Sequence, residues 1–297
     1  MSVRKVMHIE SFIDKKLEDV FCPTCGDAGN KLVHKYMSIG FYKCNECHIE
    51  YASPRLSETD MLNLYQGDAW RDAKDYEKWT YQNWLEKKDK TFYLVNENLN
   101  LVSRFLPQGS SLLDVGSDVG LTVRHLNENN FLAEGVEVSE VASTIANTFT
   151  KAPTTNSNLK QFKNNKMYDG LLLRAVLEHL YDPIDVLKDC AKVIRKDGLI
   201  FIDVPHYKGL STRYKKFLHR LGVKKNYKHF GFPAHLYAFD KRSLSCMLNK
   251  AGFEVVHFES WPKALTTGKV NSLSAWWVGY QKKNCLTDYI NVVARKS

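Results

Sequence analysis

The 297-residue sequence lacks any run of about eighteen apolar residues, the length that a membrane-spanning helix needs. Its first twenty residues, MSVRKVMHIESFIDKKLEDV, also lack the apolar stretch of a secretory signal. With 44% hydrophobic residues the chain still has enough apolar side chains for a sizeable core. We therefore expect a soluble cytoplasmic protein, built as one α/β domain with an added module or as two small domains.

Cysteine is scarce and unevenly placed. Four of the seven cysteines form two CxxC pairs separated by eighteen residues, in FCPTCG and YKCNECH. Each pair places two thiolates on one knuckle, and two knuckles supply the four sulfurs of a tetrahedral Zn²⁺ site. The pattern predicts a closed, structural zinc site with Cys22, Cys25, Cys44 and Cys47 as ligands. Iron in place of zinc, and His48 in place of Cys47, are the alternatives.

Acidic residues are absent from one segment. Residues 206–239 contain eight Lys or Arg and no Asp or Glu, within a chain of formal net charge +9. Five apolar side chains recur there at helical spacing: Leu210, Tyr214, Phe217, Leu218 and Leu221. With basic residues between them, they predict a basic amphipathic helix. Three interpretations stay open for residues 210–221: a lid packed on its apolar face, capture of a phosphate-bearing substrate, or contact with an anionic membrane surface.

Beyond Pro107 the pattern alternates between apolar strands and helices. The predicted strands are residues 111–115, 132–138, 168–174, 199–204, 253–259 and 289–294. The predicted helices are residues 120–129, 141–149, 183–194 and 241–251, the last with Asp240 as its N-cap. This alternation predicts a parallel sheet covered by helices on both faces.

The GxGxxG turn typical of dinucleotide binding is missing. Instead, the buried strand of residues 112–115 runs into a turn bounded by Gly116 and Gly120 and then into a helix. This geometry lets backbone N–H groups approach a ligand closely. About twenty residues further on, Glu137 ends the next strand, where a carboxylate can accept the hydroxyls of a ribose. The two features together favour a nucleoside cofactor other than NAD.

These motifs resemble those of class I S-adenosylmethionine-dependent methyltransferases, in content and in order. LLDVGSDVG resembles their motif I, GVEVSE their second motif, residues 168–205 their fourth-strand to fifth-strand block, and HLYAFDKRSLSCMLNKAGFEV their late block. The resemblance implies an α/β fold with a Rossmann-like seven-stranded sheet, and S-adenosylmethionine as the cofactor. The implied cofactor-binding residues are Asp114, Gly116, Ser117, Asp118, Gly120, Glu137, Val138, Asn156, Arg174 and Ala175. Asp118 departs from the family pattern, which has glycine there.

The cysteine pairs followed by YASPRLSETDMLNLY resemble a group of bacterial methyltransferases of sugar and secondary-metabolite synthesis. In that group a zinc ribbon precedes the methyltransferase domain. The resemblance implies a zinc-ribbon module with its lead-in over residues 1–52, a helical linker over 53–108, and a methyltransferase domain over 109–297 with a basic insertion at 206–239. It implies O-methylation of a sugar or related small metabolite. The basic insertion favours an anionic acceptor, and phosphate-bearing, nucleotide-linked and lipid-linked forms are the options that we consider. A position peripheral to the inner membrane is compatible with this interpretation.

In this fold the acceptor pocket forms beyond the carboxyl ends of the fourth and fifth strands. The candidate side chains there are Glu178, His179, His206, Tyr207 and His235. We hypothesise that His235 or His206 is the general base, with His179 as a third candidate.

Two other functions stay open. An RNA methyltransferase would use the zinc module and the basic insertion to hold a polynucleotide, although no NPPY-type tetrapeptide is present. A non-catalytic relative that keeps the fold is favoured by Asp118 alone.

Overall fold

The computed structural model describes residues 17–36, 38–61, 90–163, 165–223, 235–261 and 272–297. Most of the predicted helical linker, residues 62–89, therefore lies outside the described residues, as do residues 1–16 and residues 224–234 of the basic insertion. In the described segments, no helix combines the length and the apolar character that crossing a membrane requires.

The described chain forms thirteen strands and seven α-helices. The strands are β1 (Leu17–Glu18), β2 (Asn30–Tyr36), β3 (Ile39–Cys44), β4 (Glu50–Ser53), β5 (Arg55–Leu56), β6 (Ser111–Val115), β7 (Leu132–Glu137), β8 (Thr154–Asn156), β9 (Tyr168–Arg174), β10 (Ile194–Pro205), β11 (Tyr237–Ala238), β12 (Phe253–Trp261) and β13 (Tyr289–Lys296). The helices are α1 (Lys90–Ser103), α2 (Leu121–Glu128), α3 (Glu140–Ile145), α4 (Pro183–Val193), α5 (Leu210–Arg220), α6 (Lys241–Lys250) and α7 (Ser272–Lys283). The predicted Asp240 cap of α6 is confirmed, because its carboxylate accepts from the Ser243 N–H at 2.8 Å.

Seven strands form the main sheet, in the order β12-β13-β10-β9-β6-β7-β8. The predicted parallel pairing is confirmed for the five strands from β10 to β8. It is wrong for β13, which runs antiparallel to both β10 and β12. The reason is where β13 begins: Tyr289 pairs with Pro205, so the chain enters at the carboxyl end of β10 and must run back along it.

Two predicted elements have different boundaries. The helix predicted at 141–149 is α3 followed by a π-helix over Ala146–Thr150. Thr148 and Asn147 donate their side chains to carbonyls four residues earlier, a pattern that distorts a regular helix. The strand predicted at 199–204 starts already at Ile194, and the pairing of β10 with β9 shifts register between Ile194 and Leu199.

A second sheet carries the cysteine-rich segment. Its order is β11-β4-β3-β2, so β11, which lies at the end of the basic insertion, is an edge strand on the sheet of the N-terminal module. Tyr237 pairs with Tyr51 and Ala238 with Glu50. One hydrophobic cluster joins the two sheets, because it contains Tyr51 and Tyr237 of this sheet together with Leu171 and Ile200 of the main sheet. The N-terminal module and the α/β domain therefore share a core.

Candidate active site and metal centre

The turn after β6 forms the first part of the site. Gly116 and Gly120 have φ angles of +73° and +75°, and a Cβ on Gly116 would lie 2.6 Å from a methyl of Val176. The N–H groups of Gly116 and Ser117 donate to the Val136 carbonyl at 2.8 and 3.2 Å. Glycine is therefore required at both ends of the turn, and the turn is fastened to the end of β7.

Asp118 fits this turn. Its φ is 50°, in the left-handed region that Asp tolerates better than most residues. Its backbone N–H donates to Glu137 Oε2 at 2.9 Å, and its side chain is exposed. The departure from glycine therefore leaves the shape of the turn intact and adds a carboxylate at its rim.

Glu137 is buried and held by backbone donors on both carboxylate oxygens. Oε2 accepts from Asp118, and Oε1 accepts from the Ser139 N–H at 2.8 Å. Asn156 braces the same strand end, because its Nδ2 donates to the carbonyls of Glu137 and Val138 at 3.0 and 3.1 Å. Each carboxylate oxygen keeps a further lone pair, so the group can accept two ligand hydroxyls without moving.

Asp114 is buried at the end of β6 with an unsatisfied oxygen. In the described part of the chain, Oδ1 has no hydrogen-bond partner. Burial raises the pKa of Asp114 to about 7, a shift that the charge of Arg174 opposes. The carboxylates of Asp114, Asp118 and Glu137 surround one turn, and this arrangement attracts a cationic ligand.

The end of β9 supplies the opposite wall. Ala175 has a φ of 53°, unusual for a residue with a Cβ, and its N–H donates to the Asp203 carbonyl at 2.9 Å. Arg174 turns toward the neighbouring strands: its Nη1 donates to Asn291 Oδ1 at 3.3 Å, and its Nη2 lies 3.5 Å from Asp203 Oδ2. Asp203 and Asn291 were not predicted as site residues. The signal available was a polar residue inside each of the apolar strands FIDVP and YINVV.

A cluster of titratable groups lies just beyond β9. The 3₁₀ turn Leu177–His179 brings Glu178 and His179 together, and His179 Nε2 lies 3.8 Å from Glu178 Oε1. His235 joins them from the far end of the insertion, with its ring edge-on to that of His179 and the centroids 4.7 Å apart. One nitrogen or oxygen from each of the three residues lies within 4.8 Å of the other two. The backbone fixes this arrangement, because Leu236 N–H donates to the Glu178 carbonyl at 2.8 Å.

Glu178 itself is buried, and within the described chain neither of its carboxylate oxygens has a hydrogen-bond partner. Burial is the main reason that its pKa rises to about 8, with a smaller contribution from the charge of Asp203. Near neutral pH the carboxyl therefore holds a proton that it can share with a neighbouring base.

His206 and Tyr207 follow β10 and take part in packing. His206 is buried, its Nδ1 lies 3.2 Å from the Thr287 carbonyl, and burial lowers its pKa to about 4. Tyr207 donates to Asp240 Oδ2 at 3.2 Å or to the His48 carbonyl at 3.3 Å. Of the three predicted base candidates, the structure therefore brings His179 and His235 together.

The four cysteines of the two knuckles converge on one point. Their sulfurs all lie within 4.8 Å of one another, and those of Cys22 and Cys47 are 3.5 Å apart. Both knuckles close in the same way: Gly26 N–H donates to the Cys22 carbonyl, His48 N–H to the Cys44 carbonyl, and both donors have a positive φ. His48 is not part of the sulfur cluster.

The seven-stranded sheet with its antiparallel β13, together with the glycine turn and strand-end carboxylates, defines an α/β methyltransferase fold. A family described as "Methyltransferase domain" matches residues 87–258, more than half of the chain, and the chain belongs to this family.

Curated relatives and solved structures agree with that family. The chain is 25% identical over 150 residues to the ubiquinone biosynthesis O-methyltransferase of Coxiella burnetii (strain Dugway 5J108-111), which covers 47% of this chain and 62% of that protein. It is 28% identical over 100 residues to the same-named protein of Aliivibrio fischeri (strain MJ11), covering 31% and 43%. The chain thus spans about three fifths or less of the length of these relatives. A chain in the complex between the Haloferax volcanii Trm112 methyltransferase activator and a methyltransferase has the same fold, with a TM-score of 0.53, 12% identity, and coverage of 77% and 96%.

Proposed function

We propose that this protein transfers a methyl group from S-adenosylmethionine to an oxygen of a small, anionic acceptor. The observation that carries the proposal is the acidic turn at the ends of β6 and β7. Buried Asp114 offers an oxygen without a protein partner, and Glu137 is oriented by two backbone N–H groups. These carboxylate acceptors fit a cationic ligand with an amino group and a ribose better than they fit an anionic dinucleotide.

When bound, S-adenosylmethionine supplies an electrophilic methyl group on a positively charged sulfur. Asp114 would accept from the amino group of its methionine portion, and Glu137 would accept from both ribose hydroxyls. The backbone of the turn from Gly116 to Gly120 would contact the cofactor closely. Ala175, exposed at a positive φ, lies between the end of β9 and the turn that carries Glu178 and His179.

We assign the acceptor to that cluster, and the removal of its hydroxyl proton to His235, with His179 and Glu178 as neighbours. His206 serves this role poorly, because its lowered pKa makes it a weak base and its ring is buried. Methylation of oxygen agrees with the names of the curated relatives, which are O-methyltransferases. A sugar or related metabolite, in phosphate-bearing, nucleotide-linked or lipid-linked form, is the acceptor class that we propose.

The test separates cofactor binding from turnover. Calorimetry measures binding of S-adenosylhomocysteine, and transfer of a radiolabelled methyl group to a panel of nucleotide sugars measures turnover. His235→Asn should keep cofactor binding and lower turnover by about 10²–10⁴-fold, whereas His206→Asn should be far milder. Near-normal turnover of His235→Asn would exclude His235 as the base. A wild-type protein without cofactor affinity would refute the methyltransferase proposal itself.

We also propose that Cys22, Cys25, Cys44 and Cys47 bind one structural zinc ion. Four sulfurs around Zn²⁺ at about 2.3 Å are separated by about 3.8 Å, which the observed cluster approaches. Burial and the neighbouring thiols raise the pKa of Cys25 to about 12, so a cation is needed to hold the sulfurs as thiolates. A site with four sulfur ligands is closed, which favours a structural role over a catalytic one.

Elemental analysis tests the zinc site. The purified wild-type protein should contain one zinc per chain. Cys44→Ser should lose most of the zinc and unfold at a lower temperature, because the site is part of the shared core. The matched control is Cys246→Ser, since Cys246 lies in α6 outside the sulfur cluster. Equal zinc content in the two variants would refute the assignment.

A further inference from the structure

Helix α5 presents its apolar stripe to solvent. Tyr214, Phe217 and Leu221 are 62%, 56% and 60% exposed, and Leu210, one turn before Tyr214, is also exposed. Their spacing of four, three and four residues places them along one side of the helix. An amphipathic helix of a globular protein ordinarily turns this side toward the core, so α5 is oriented in the opposite way.

Polar contacts on the other side of α5 fix this orientation. Lys216 Nζ lies 3.7 Å from Glu50 Oε2 of β4 and 5.1 Å from the centre of the Tyr207 ring. His219 meets the ring of His34 of β2 at a centroid distance of 5.9 Å. Lys216 and His219 therefore face the protein, and this leaves the apolar stripe on the outside.

Helix α7 adds exposed aromatic rings. Trp276, Trp277 and Tyr280 are 68%, 46% and 46% exposed, and both tryptophans stack on Tyr280 at centroid distances of 5.9 and 5.7 Å. The end of α7 is joined to the start of α5: Leu286 N–H donates to the Gln281 carbonyl, and Leu210 N–H donates to the Leu286 carbonyl at 2.8 Å. We call the exposed apolar side chains of α5, of its C-cap residue and of α7 the docking surface: Leu210, Tyr214, Phe217, Leu221, Trp276, Trp277 and Tyr280.

The charged residues on the two helices of the docking surface are all basic. Neither α5 nor α7 contains an acidic residue. Arg213, Lys215 and Arg220 of α5 are exposed, and α7 ends in Lys282 and Lys283. Aromatic and aliphatic side chains beside basic ones match the boundary between lipid headgroups and acyl chains, where rings insert and cations meet anionic headgroups.

We propose that the docking surface binds the protein peripherally to a membrane rich in anionic lipids. A polynucleotide would use the cations and stacked rings but would leave Leu210 and Leu221 in water, whereas a bilayer also takes up the aliphatic side chains. Helix α5 begins five residues after β10 ends, at the edge of the sheet where Glu178, His179 and His235 lie. Docking would therefore hold the proposed acceptor site close to the lipid surface.

Vesicle flotation of the full-length, zinc-containing protein tests the proposal. Vesicles of phosphatidylcholine with about one third phosphatidylglycerol should carry the protein at about 0.1 M salt, and pure phosphatidylcholine should not. Phe217→Ser combined with Tyr214→Ser should weaken binding by about 10-fold or more, because two inserted rings are lost. Lys215→Glu should weaken it by about 10-fold and make binding less sensitive to salt. Brominated lipids should quench part of the tryptophan fluorescence of the wild-type protein. The quenched part should be smaller in the variant that combines Trp276→Phe with Trp277→Phe.

Matched variants elsewhere on the surface make the test specific. Leu132→Ser removes an exposed leucine at the amino-terminal edge of the sheet, and Lys196→Glu reverses an exposed charge at the start of β10. Both should bind vesicles like the wild type. The proposal fails if wild-type protein does not float with anionic vesicles, if Leu132→Ser loses as much binding as the α5 variants do, or if only polyuridylate and not vesicles binds the protein. These readouts do not involve methyl transfer, so they stand apart from the proposed activity.

Discussion

The carboxylate of Glu137 is already oriented for a ligand by hydrogen bonds within the protein. Its two oxygens already accept from the backbone N–H groups of Asp118 and Ser139, so the carboxylate loses little freedom when a ribose binds. We expect Glu137→Gln to weaken S-adenosylhomocysteine binding by about 10–100-fold, because hydrogen bonds to a charged acceptor are replaced by weaker ones and one backbone N–H faces an amide donor. Isothermal titration calorimetry measures the change.

The control for this variant is Glu140→Gln. Glu140 is exposed in the first turn of α3, three residues away from Glu137. The Glu140→Gln variant should bind S-adenosylhomocysteine with wild-type affinity. Equal losses in the two variants would mean that the general negative charge of this region, and not the carboxylate of Glu137, attracts the ligand.

Glu178 gives the protein a pH-dependent stability of defined sign. Burial raises its pKa to about 8, whereas a glutamate in an unfolded chain titrates near about 4.3. Between these values the folded protein holds one more proton than the unfolded chain, so the free energy of unfolding falls as the pH rises from about 5 to about 8. Glu178→Gln cannot titrate and should flatten this slope, by a few kcal/mol over the range.

Thermal unfolding of both proteins at several pH values measures this difference. Other buried groups, including Asp114 and His206, titrate in the wild type and in the variant alike, so they cancel when the two curves are subtracted. Parallel curves would show that the Glu178 carboxyl is ionised at neutral pH, and its proposed raised pKa would be refuted.

The residues of the cofactor turn could be predicted because they are local. Asp114, Gly116 and Gly120 lie within one strand–turn–helix unit, and Glu137 occupies the matching position on the next strand. The juxtaposition of His235 with His179 could not be predicted in this way. It depends on Leu236, whose N–H reaches the Glu178 carbonyl and whose carbonyl accepts from the Ala52 N–H of β4, a contact between distant parts of the chain.

At the scale of elements, the strands that are buried on both faces were predicted best. The bounds of β6 and β9 agree with the prediction to the residue, since each is a short apolar run between turn residues. The direction of β13 could not be predicted from its sequence. It depends on the end of β10 at which the chain enters the sheet, and the residues of β13 do not indicate that end. The sequence did not predict the orientation of α5. The periodicity of its residues defines an apolar side of the helix but does not show whether that side faces the protein or the solvent.

Arg55 connects β5 with β11 and with the loop before α4. It lies buried in β5, donates its Nη1 to the Tyr237 hydroxyl of β11 and its Nη2 to the Tyr181 carbonyl at 2.8 Å, and stacks over the Tyr181 ring at 4.3 Å. We expect Arg55→Ala to lower the free energy of unfolding by about 2–4 kcal/mol, because two charge-assisted hydrogen bonds and a cation–π contact are lost. Chemical denaturation measures the loss.

Arg104→Ala is the matched control for Arg55. The side chain of Arg104 is 48% exposed and forms a surface ion pair with Glu259 at 2.7 Å. Its loss should change stability by about 1 kcal/mol or less, as for most exposed pairs. If Arg55→Ala were as mild as this control, the contacts of Arg55 would not be what holds β5 and β11 together.

At the scale of the whole molecule, the cysteine-rich N-terminal module and the α/β domain share one hydrophobic core. Cys44 and Tyr51 lie in the same buried cluster as Leu244 and Met247 of α6. Lys250 of α6 donates to the Thr24 carbonyl on the first knuckle at 2.7 Å. The sequence suggested separate modules because the two cysteine pairs lie well before the first strand of the strand–helix alternation. Neither pattern indicates that the apolar faces of the two parts pack against each other.

This shared core predicts the behaviour of a truncated chain. A fragment of residues 57–297 retains the whole region that matches the methyltransferase-domain family, but it exposes the apolar residues that pack on Ile49, Tyr51 and the cysteine cluster. It also deprives β11 of its pairing with β4, and the Leu236 carbonyl of the hydrogen bond from the Ala52 N–H. We expect this fragment to unfold without a cooperative transition, as followed by circular dichroism and by differential scanning calorimetry.

Zinc removal from the intact chain is the graded counterpart of this truncation, since a chelator leaves every residue present. The chelated protein should keep the main sheet yet lose stability and, with the displacement of β4, lose turnover more than cofactor affinity. Cofactor affinity should persist because Asp114 and Glu137 lie on β6 and β7, and among the described strands neither of these pairs with the cysteine-rich module. If the fragment of residues 57–297 unfolds cooperatively near the wild-type temperature, the α/β domain does not depend on the shared core. The cysteine-rich part would then be a separate module attached to a domain that folds alone.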